Sequence, residues 1–310
     1  MQKKILITGG AGFIGLNLTE KLLELGHEVY SVDNFVTSER EKVSEFLNHE
    51  KYHFEEQDIT CGLGKFATIP FDEIYHLACP TGVDNLLRLG EEMIMTSSLG
   101  TKNVLEVAHE HGSTVVYTSS SEVYGEPEKS PQRESYTGNV SPVGMRSPYE
   151  EGKRIGETLV MLYVRKYKVH GIIARVFNTY GPRMGMRDSR VIPKFISSIK
   201  KNDALPIHGD GSQVRTFCYV DDLVDGLVIL ANRGVKGGVY NLGSQEQIKI
   251  RELAYTVRKI YGNGLKFKKV KRPIHDHSSR LPDTRKIEKL GWREKVSLSE
   301  GLRRVLWNLQ

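Results

Sequence analysis

The chain has 310 residues, 39% of them hydrophobic and 26% charged, with a formal net charge of +6, proportions of a globular protein that buries a sizeable core. No stretch approaches the roughly 18 consecutive apolar residues of a membrane span, and apart from Lys266 to Arg272 the positive charge is scattered among acidic residues, so neither a membrane nor a nucleic acid is the expected partner and an anionic small molecule is favoured. Cys61, Cys79 and Cys218 are an odd number without paired ligand spacing, which argues against a disulfide framework or a zinc site and suits a cytoplasmic location.

The first apolar run, Ile5-Leu6-Ile7, is too short and too near the start for a secretory segment, and reads as a strand over Lys4 to Thr8. A glycine-rich turn follows, then Leu18, Leu22, Leu23 and Leu25 at helical spacing, Gly26, and a second strand over Glu28 to Val32, which completes a βαβ unit. Further strands are expected at His53 to Glu56, Glu73 to Leu77, Thr114 to Thr118 and Gly171 to Arg175, alternating with helices near Glu91 to His111 and Tyr149 to Tyr167. This alternation predicts an α/β fold, a Rossmann-like doubly wound parallel sheet with helices on both faces. After Pro182 the pattern is less regular, with short strands at Leu205 to His208 and Gly238 to Leu242. Residues 1–182 are therefore expected to form the dinucleotide-binding domain, and residues 183–310 mainly a smaller substrate-binding domain that can return elements to the first.

In the turn Gly9-Gly10-Ala11-Gly12-Phe13-Ile14-Gly15 the glycines satisfy both Gly-x-Gly-x-x-Gly and Gly-x-x-Gly-x-x-Gly spacing at a strand-to-helix junction. Such a junction brings bare backbone and a helix N-terminus against a pyrophosphate, whose charge the free N–H groups and the helix dipole favour. Asp33 closes the second strand, where a carboxylate can accept from both adenosine ribose hydroxyls and would repel a phosphate there, so NAD is expected over NADP. Gly9, Gly12, Phe13, Ile14, Gly15, Asp33, Asn34, Ile59, Leu77 and Ala78 are the candidate cofactor contacts. Asp58 has two readings of equal weight, an adenine contact and an ordinary helix-capping aspartate.

Tyr149 and Lys153 are four residues apart, hence on one helix face, in a segment opened by Ser147 as N-cap and Pro148 as first helical residue. A tyrosine with a pKa of about 10 is a poor base at neutral pH, but a nearby ammonium lowers that value and can also reach the nicotinamide ribose. Upstream, the strand over Thr114 to Thr118 ends in Ser119-Ser-Ser-Glu-Val-Tyr-Gly125, and ligands of open parallel sheets bind at such carboxyl ends. Ser120 or Ser121 can hold the reacting oxygen beside Tyr149, and Glu122 can handle a proton or order water at the adjacent carbon. Tyr-x-x-x-Lys alone occurs on many surface helices; the glycine turn gives it weight.

Thr8 to Gly15, His76-Leu-Ala78, Ser119 to Gly125, Tyr149-x-x-x-Lys153 and Ala174-Arg-Val-Phe-Asn-Thr-Tyr-Gly-Pro-Arg183 together resemble the extended short-chain dehydrogenases acting on nucleotide sugars, over nearly the whole chain. Within that group, Ser-Glu-Val-Tyr-Gly, the stretch Tyr149 to Arg154 and Gly181-Pro-Arg-Met-Gly-Met186 look most like UDP-glucuronate decarboxylases. The resemblance implies that Tyr149, with Ser120 or Ser121, deprotonates the sugar C4 hydroxyl, that Glu122 assists at C5, and that Arg280, in Arg-Leu-Pro-Asp283, positions the carboxylate. It also implies substrate contacts at Asn178, Arg215 and Tyr219, with Arg183 and Arg190 as further candidates, and a homodimer through the helices around Glu91 to His111 and Tyr149 to Tyr167. The chain departs from the family at Thr81-Gly-Val-Asp-Asn-Leu86, where a proline-rich stretch with a tyrosine is usual, and at Ser97, where asparagine is usual. A 4,6-dehydratase, a 4-epimerase and a catalytically silent NAD-binding sensor stay open as alternatives. His275-Asp276-His277 reads as a polar loop, with no third clustered metal ligand.

Overall fold

The computed structural model describes residues 1–185, 188–262, 264–271 and 280–307. The chain opens with β1 (Lys4–Thr8), α1 (Phe13–Glu24), β2 (Glu28–Asp33), the one-turn α2 (Arg40–Val43), β3 (Tyr52–Glu56) and β4 (Glu73–His76). Next come α3 (Gly90–Met95), α4 (Thr101–His111), β5 (Thr114–Ser120), the long α5 (Ser147–Lys166) and β6 (His170–Val176). Shorter elements follow: β7 (Thr179–Tyr180), α6 (Val191–Lys200), β8 (Leu205–His208), β9 (Val214–Thr216), β10 (Cys218–Tyr219), α7 (Val220–Arg233), β11 (Val239–Leu242), β12 (Gln247–Lys249), α8 (Ile250–Tyr261), β13 (Phe267–Val270), α9 (Arg285–Glu288) and α10 (Leu298–Trp307). The single helix expected over Glu91 to His111 is instead two, joined by a π-helical turn at Thr96–Gly100, a widened turn that periodicity over a long segment does not reveal.

Seven strands pair in the order β11-β6-β5-β4-β1-β2-β3, all parallel. Side chains alternate across this sheet. Ile5, Ile7, Tyr75, Val116 and Ile172 meet Leu16 and Leu22 of α1 and Leu223 and Leu227 of α7 on one face. On the other, Leu6, Ile74, Val115, Tyr117 and Ile173 meet Val104, Leu105 and Ala108 of α4 and Val160 of α5. Each such aliphatic side chain, fully removed from water, contributes about 1.5–3 kcal/mol. The edge strand β11 and helix α7 come from beyond residue 182, with Tyr240 opposite Ala174. The remaining late elements build their own cluster around Tyr180, Phe195, Leu205, Leu253 and Leu302.

The chain runs outward from β1 to β3 and then crosses to β4 on the other side of β1. At that reversal the connections leave in opposite directions and open a crevice above the strand ends.

Candidate active site

A cavity of about 1090 Å³ fills this crevice, walled by Gly9 after β1, Asp33 at the end of β2, Leu77 after β4, Ser120 at the end of β5, and Arg280. Gly9 sits at φ +73°, and a Cβ there would lie 2.9 Å from the Ala78 backbone, while one on Gly15 would lie 2.3 Å from the Gly9 carbonyl oxygen. Only glycine permits that approach of turn, helix and β4. Gly12 N-caps α1 with no side chain bonded to the first turn, and Phe13, Ile14 and Gly15 face the cavity. Their N–H groups lack intrahelical partners, so this cradle fits a pyrophosphate.

Asp33 lines the cavity, its Oδ2 accepting from the Ala11 N–H at 3.0 Å and its Oδ1 from the Phe35 N–H at 2.9 Å and the Ser38 hydroxyl at 2.7 Å. Burial raises its carboxyl above the usual value against these bonds. Three bonds occupy most of the roughly four acceptor positions of a carboxylate, leaving room for a ribose hydroxyl. Asn34, Asp58, Ile59 and Ala78 also line the cavity. Asp58 caps the turn Ile59–Cys61 through the Thr60 N–H at 2.8 Å, and Asn34 donates to its other oxygen at 3.0 Å.

Helix α5 begins at Ser147 with Arg146 as N-cap, one residue earlier than expected, because the Arg146 carbonyl already accepts from Glu150. Tyr149 and Lys153 project from it into the cavity. The Lys153 ammonium donates to the Thr118 carbonyl at 2.9 Å, and burial lowers its pKa, with Cys79 and Glu157 opposing. The Tyr149 phenol departs from the sequence expectation: burial pushes its pKa up well above the ordinary value, the nearby Cys79 adds to this, and a Ser120 side-chain bond opposes it. In the protein alone, desolvation therefore outweighs the lowering expected from Lys153.

Ser120, Ser121 and Glu122 line the same wall, with the Ser120 hydroxyl accepting from the Glu122 N–H at 3.2 Å. Ser119, on the same wall, donates to Glu157 at 2.6 Å, and Arg175 donates to both Glu157 oxygens. Arg146, which the sequence reading did not single out, donates to Glu122 and, at 2.9 Å, to the buried Glu150. Its signal was the Arg-x-x-x-Glu spacing at a helix start. Arg280, only 2% exposed, stands 3.7 Å from Glu122.

Asn178, Arg190 and Arg215 also face the cavity, Arg190 as a forked partner of Asp188. Arg183 lines it too, but its five N–H groups are donated to Glu20, Glu45 and Asn17, so it clamps its loop to α1 and a substrate contact would exchange one of those bonds. Tyr219 is not among the cavity residues: it is buried against Tyr180, Gly301 and Arg304, and Phe217 faces the cavity in its place. Among the described residues no three His, Cys, Asp or Glu side chains gather as a metal site. His275, Asp276 and His277, like Met186 and Arg272, lie outside the described residues.

Residues 5–243 match the family described as NAD dependent epimerase/dehydratase. The chain is 41% identical over 306 residues to UDP-glucuronic acid decarboxylase 1 of Xenopus tropicalis, covering 98% of this chain and 72% of that protein. It is 42% identical over 301 residues to UDP-glucuronic acid decarboxylase 3 of Arabidopsis thaliana, covering 96% and 86%. Among solved structures, the dTDP-glucose 4,6-dehydratase of Streptomyces venezuelae with NAD bound superposes with a TM-score of 0.88 at 28% identity, covering 98% and 96%. The UDP-glucose 4-epimerase of Thermotoga maritima with UDP-glucose gives 0.89 at 27%, covering 99% and 98%.

Proposed function

The chain belongs to the NAD dependent epimerase/dehydratase family, and from that premise we propose that it is an NAD-using UDP-glucuronate decarboxylase working through a 4-keto sugar. The observation that carries the substrate assignment is Arg280, a buried guanidinium on the cavity wall beside Glu122. A cation fixed there suits a sugar whose C5 bears a carboxylate, and the decarboxylase relatives support the same reading. Simple 4-epimerisation gives Arg280 and Glu122 no task.

Bound in the glycine cradle, NAD supplies the oxidising and then the reducing equivalents at C4. Tyr149, on the cavity wall with Ser120, takes the C4 hydroxyl proton and later returns it. Lys153, on the same helix face, stabilises the phenolate and engages the cofactor ribose. The carbonyl so formed at C4 lies β to the carboxylate, so the C5–carboxyl bond breaks with its electron pair delocalised toward C4 and carbon dioxide leaves. Arg280 holds the carboxylate, and Glu122 assists protonation at C5. Asn178, Arg190 and Arg215 receive the uracil and diphosphate.

We further propose a homodimer, supported by apolar side chains left exposed on neighbouring helices, among them Ile94 at 44%, Ile155 at 44% and Leu162 at 47%. No helix among the described residues is long and apolar enough to cross a membrane, and the three free thiols support a reducing, cytoplasmic setting.

The test is mass spectrometry after incubation with NAD and, separately, UDP-glucuronate, UDP-glucose and GDP-mannose. Loss of carbon dioxide from UDP-glucuronate supports the proposal. Loss of water from another substrate makes the enzyme a dehydratase, and unchanged mass with an altered sugar makes it an epimerase.

A further inference from the structure

Gln132 lies in the loop between the serine turn and α5, is 0% exposed, and is not among the residues facing the cavity. Its main chain bridges the segment after Arg280: the Gln132 N–H donates to the Leu281 carbonyl at 2.8 Å, and the Asp283 N–H donates to the Gln132 carbonyl at 2.9 Å. Any residue at 132 other than proline offers both bonds. The third bond belongs to glutamine's side chain, whose Oε1 accepts the Leu281 N–H at 2.8 Å and so fixes the peptide joining Arg280 to Leu281. Its Nε2 donates to the Lys129 carbonyl at 2.7 Å. Buried main-chain groups require partners, and a primary amide supplies acceptor and donor at one reach.

Asn241 secures the same junction from the sheet side. Its Nδ2 donates to the Gln132 and Asp283 carbonyls at 2.9 and 3.2 Å, and its Oδ1 accepts from the Tyr124 hydroxyl at 2.7 Å. Tyr124 belongs to the turn that carries Glu122, so Arg280 and Glu122 are both referenced to one buried polar frame.

Resting on the decarboxylase reading, we propose that Gln132 is a positioning residue that sets the Arg280 guanidinium at the carboxylate point of the cavity and thereby fixes the preference for a carboxylated nucleotide sugar. Gln132→Met keeps the volume and removes the acceptor. Gln132→Asn keeps the amide but is one methylene too short, and serves as the second variant should the first fail to fold. Gln132→Glu retains an oxygen at the Oε1 position.

In the NAD-loaded full chain, KM for UDP-glucuronate is compared with the inhibition constant of UDP, which carries no carboxylate. The expected result in Gln132→Met or Gln132→Asn is a KM raised roughly tenfold, the scale of one hydrogen bond at a charged group, with UDP inhibition within about twofold of the parent, and a return toward the parent ratio in Gln132→Glu. Equal losses on both ligands, or no loss on either, overturn the assignment. Arg280→Ala in the same assay tests the underlying reading separately. If it leaves the preference for UDP-glucuronate over UDP-glucose intact, the decarboxylase reading falls; if it removes the preference while the Gln132 variants keep it, only the role of Gln132 falls.

Discussion

Arg146 ties the start of the catalytic helix and the buried Glu150 beside Tyr149 to Glu122 on the serine turn, 24 positions away. Its guanidinium is largely covered, so the pair lies between the exposed case, worth under about 1 kcal/mol, and the fully buried one, where losing a partner costs about 3–5 kcal/mol. Arg146→Ala is expected to lower kcat by at least about tenfold while NAD affinity stays within about twofold, since the cofactor cradle is built from β1 and α1. Single-turnover rates and an NAD titration check this, and an unchanged kcat would make the ion pair purely structural. The glycine turn, Asp33 and the Tyr149–Lys153 pair were legible because each combines a fixed local spacing with one element boundary. Arg280 was legible through its Arg-Leu-Pro-Asp motif, whereas Gln132 was not, because its bond to Leu281 is made across 149 positions of sequence and no local pattern announces it. Tyr219 was misplaced for a related reason: motif position gave proximity to the site, and local packing turned the ring away from it.

At the scale of elements, β1, β4 and α4 are tied by one side chain. His76, 1% exposed at the end of β4, bonds Thr8 of β1 at 2.7 Å and Thr101 of α4 at 2.9 Å. Burial, with the Lys153 charge adding to it, depresses the imidazole from 6.5 to about 3. As pH falls below 6.5 an unfolded chain takes up a proton that the folded one refuses. The contribution is therefore intact above pH 6.5 and is lost progressively down to about 3. His76→Gln keeps a donor and an acceptor but cannot titrate, so its melting temperature is expected to fall less steeply with pH across that window. Parallel slopes for the two proteins in calorimetry would contradict the assignment. Strand positions were readable from β-type runs and helix α1 from its leucine spacing. The π-helical turn at Thr96–Gly100 was not, because hydrophobic periodicity averages over the single turn where it slips.

Across the whole molecule, the parallel sheet followed from alternating strand and helix patterns, whereas the return of β11 to its edge depended on a short run that could have joined either part. Exposed Ile94 and Met95 of α3 lie beside exposed Ile155 and Leu162 of α5, and a second copy of the chain is the occupant they suit. Sedimentation is expected to give a dimer at micromolar concentration, and Ile155→Asp with Leu162→Asp a monomer; a monomeric parent protein would contradict this. The proposed reaction draws cradle, Tyr149, Glu122 and Arg280 onto one substrate. It is tested most directly by supplying UDP-glucuronate labelled at its carboxyl carbon and following the label. Labelled carbon dioxide is expected in equal amount to a UDP-pentose with no net consumption of NAD, whereas label retained in the nucleotide sugar would contradict the decarboxylase reading.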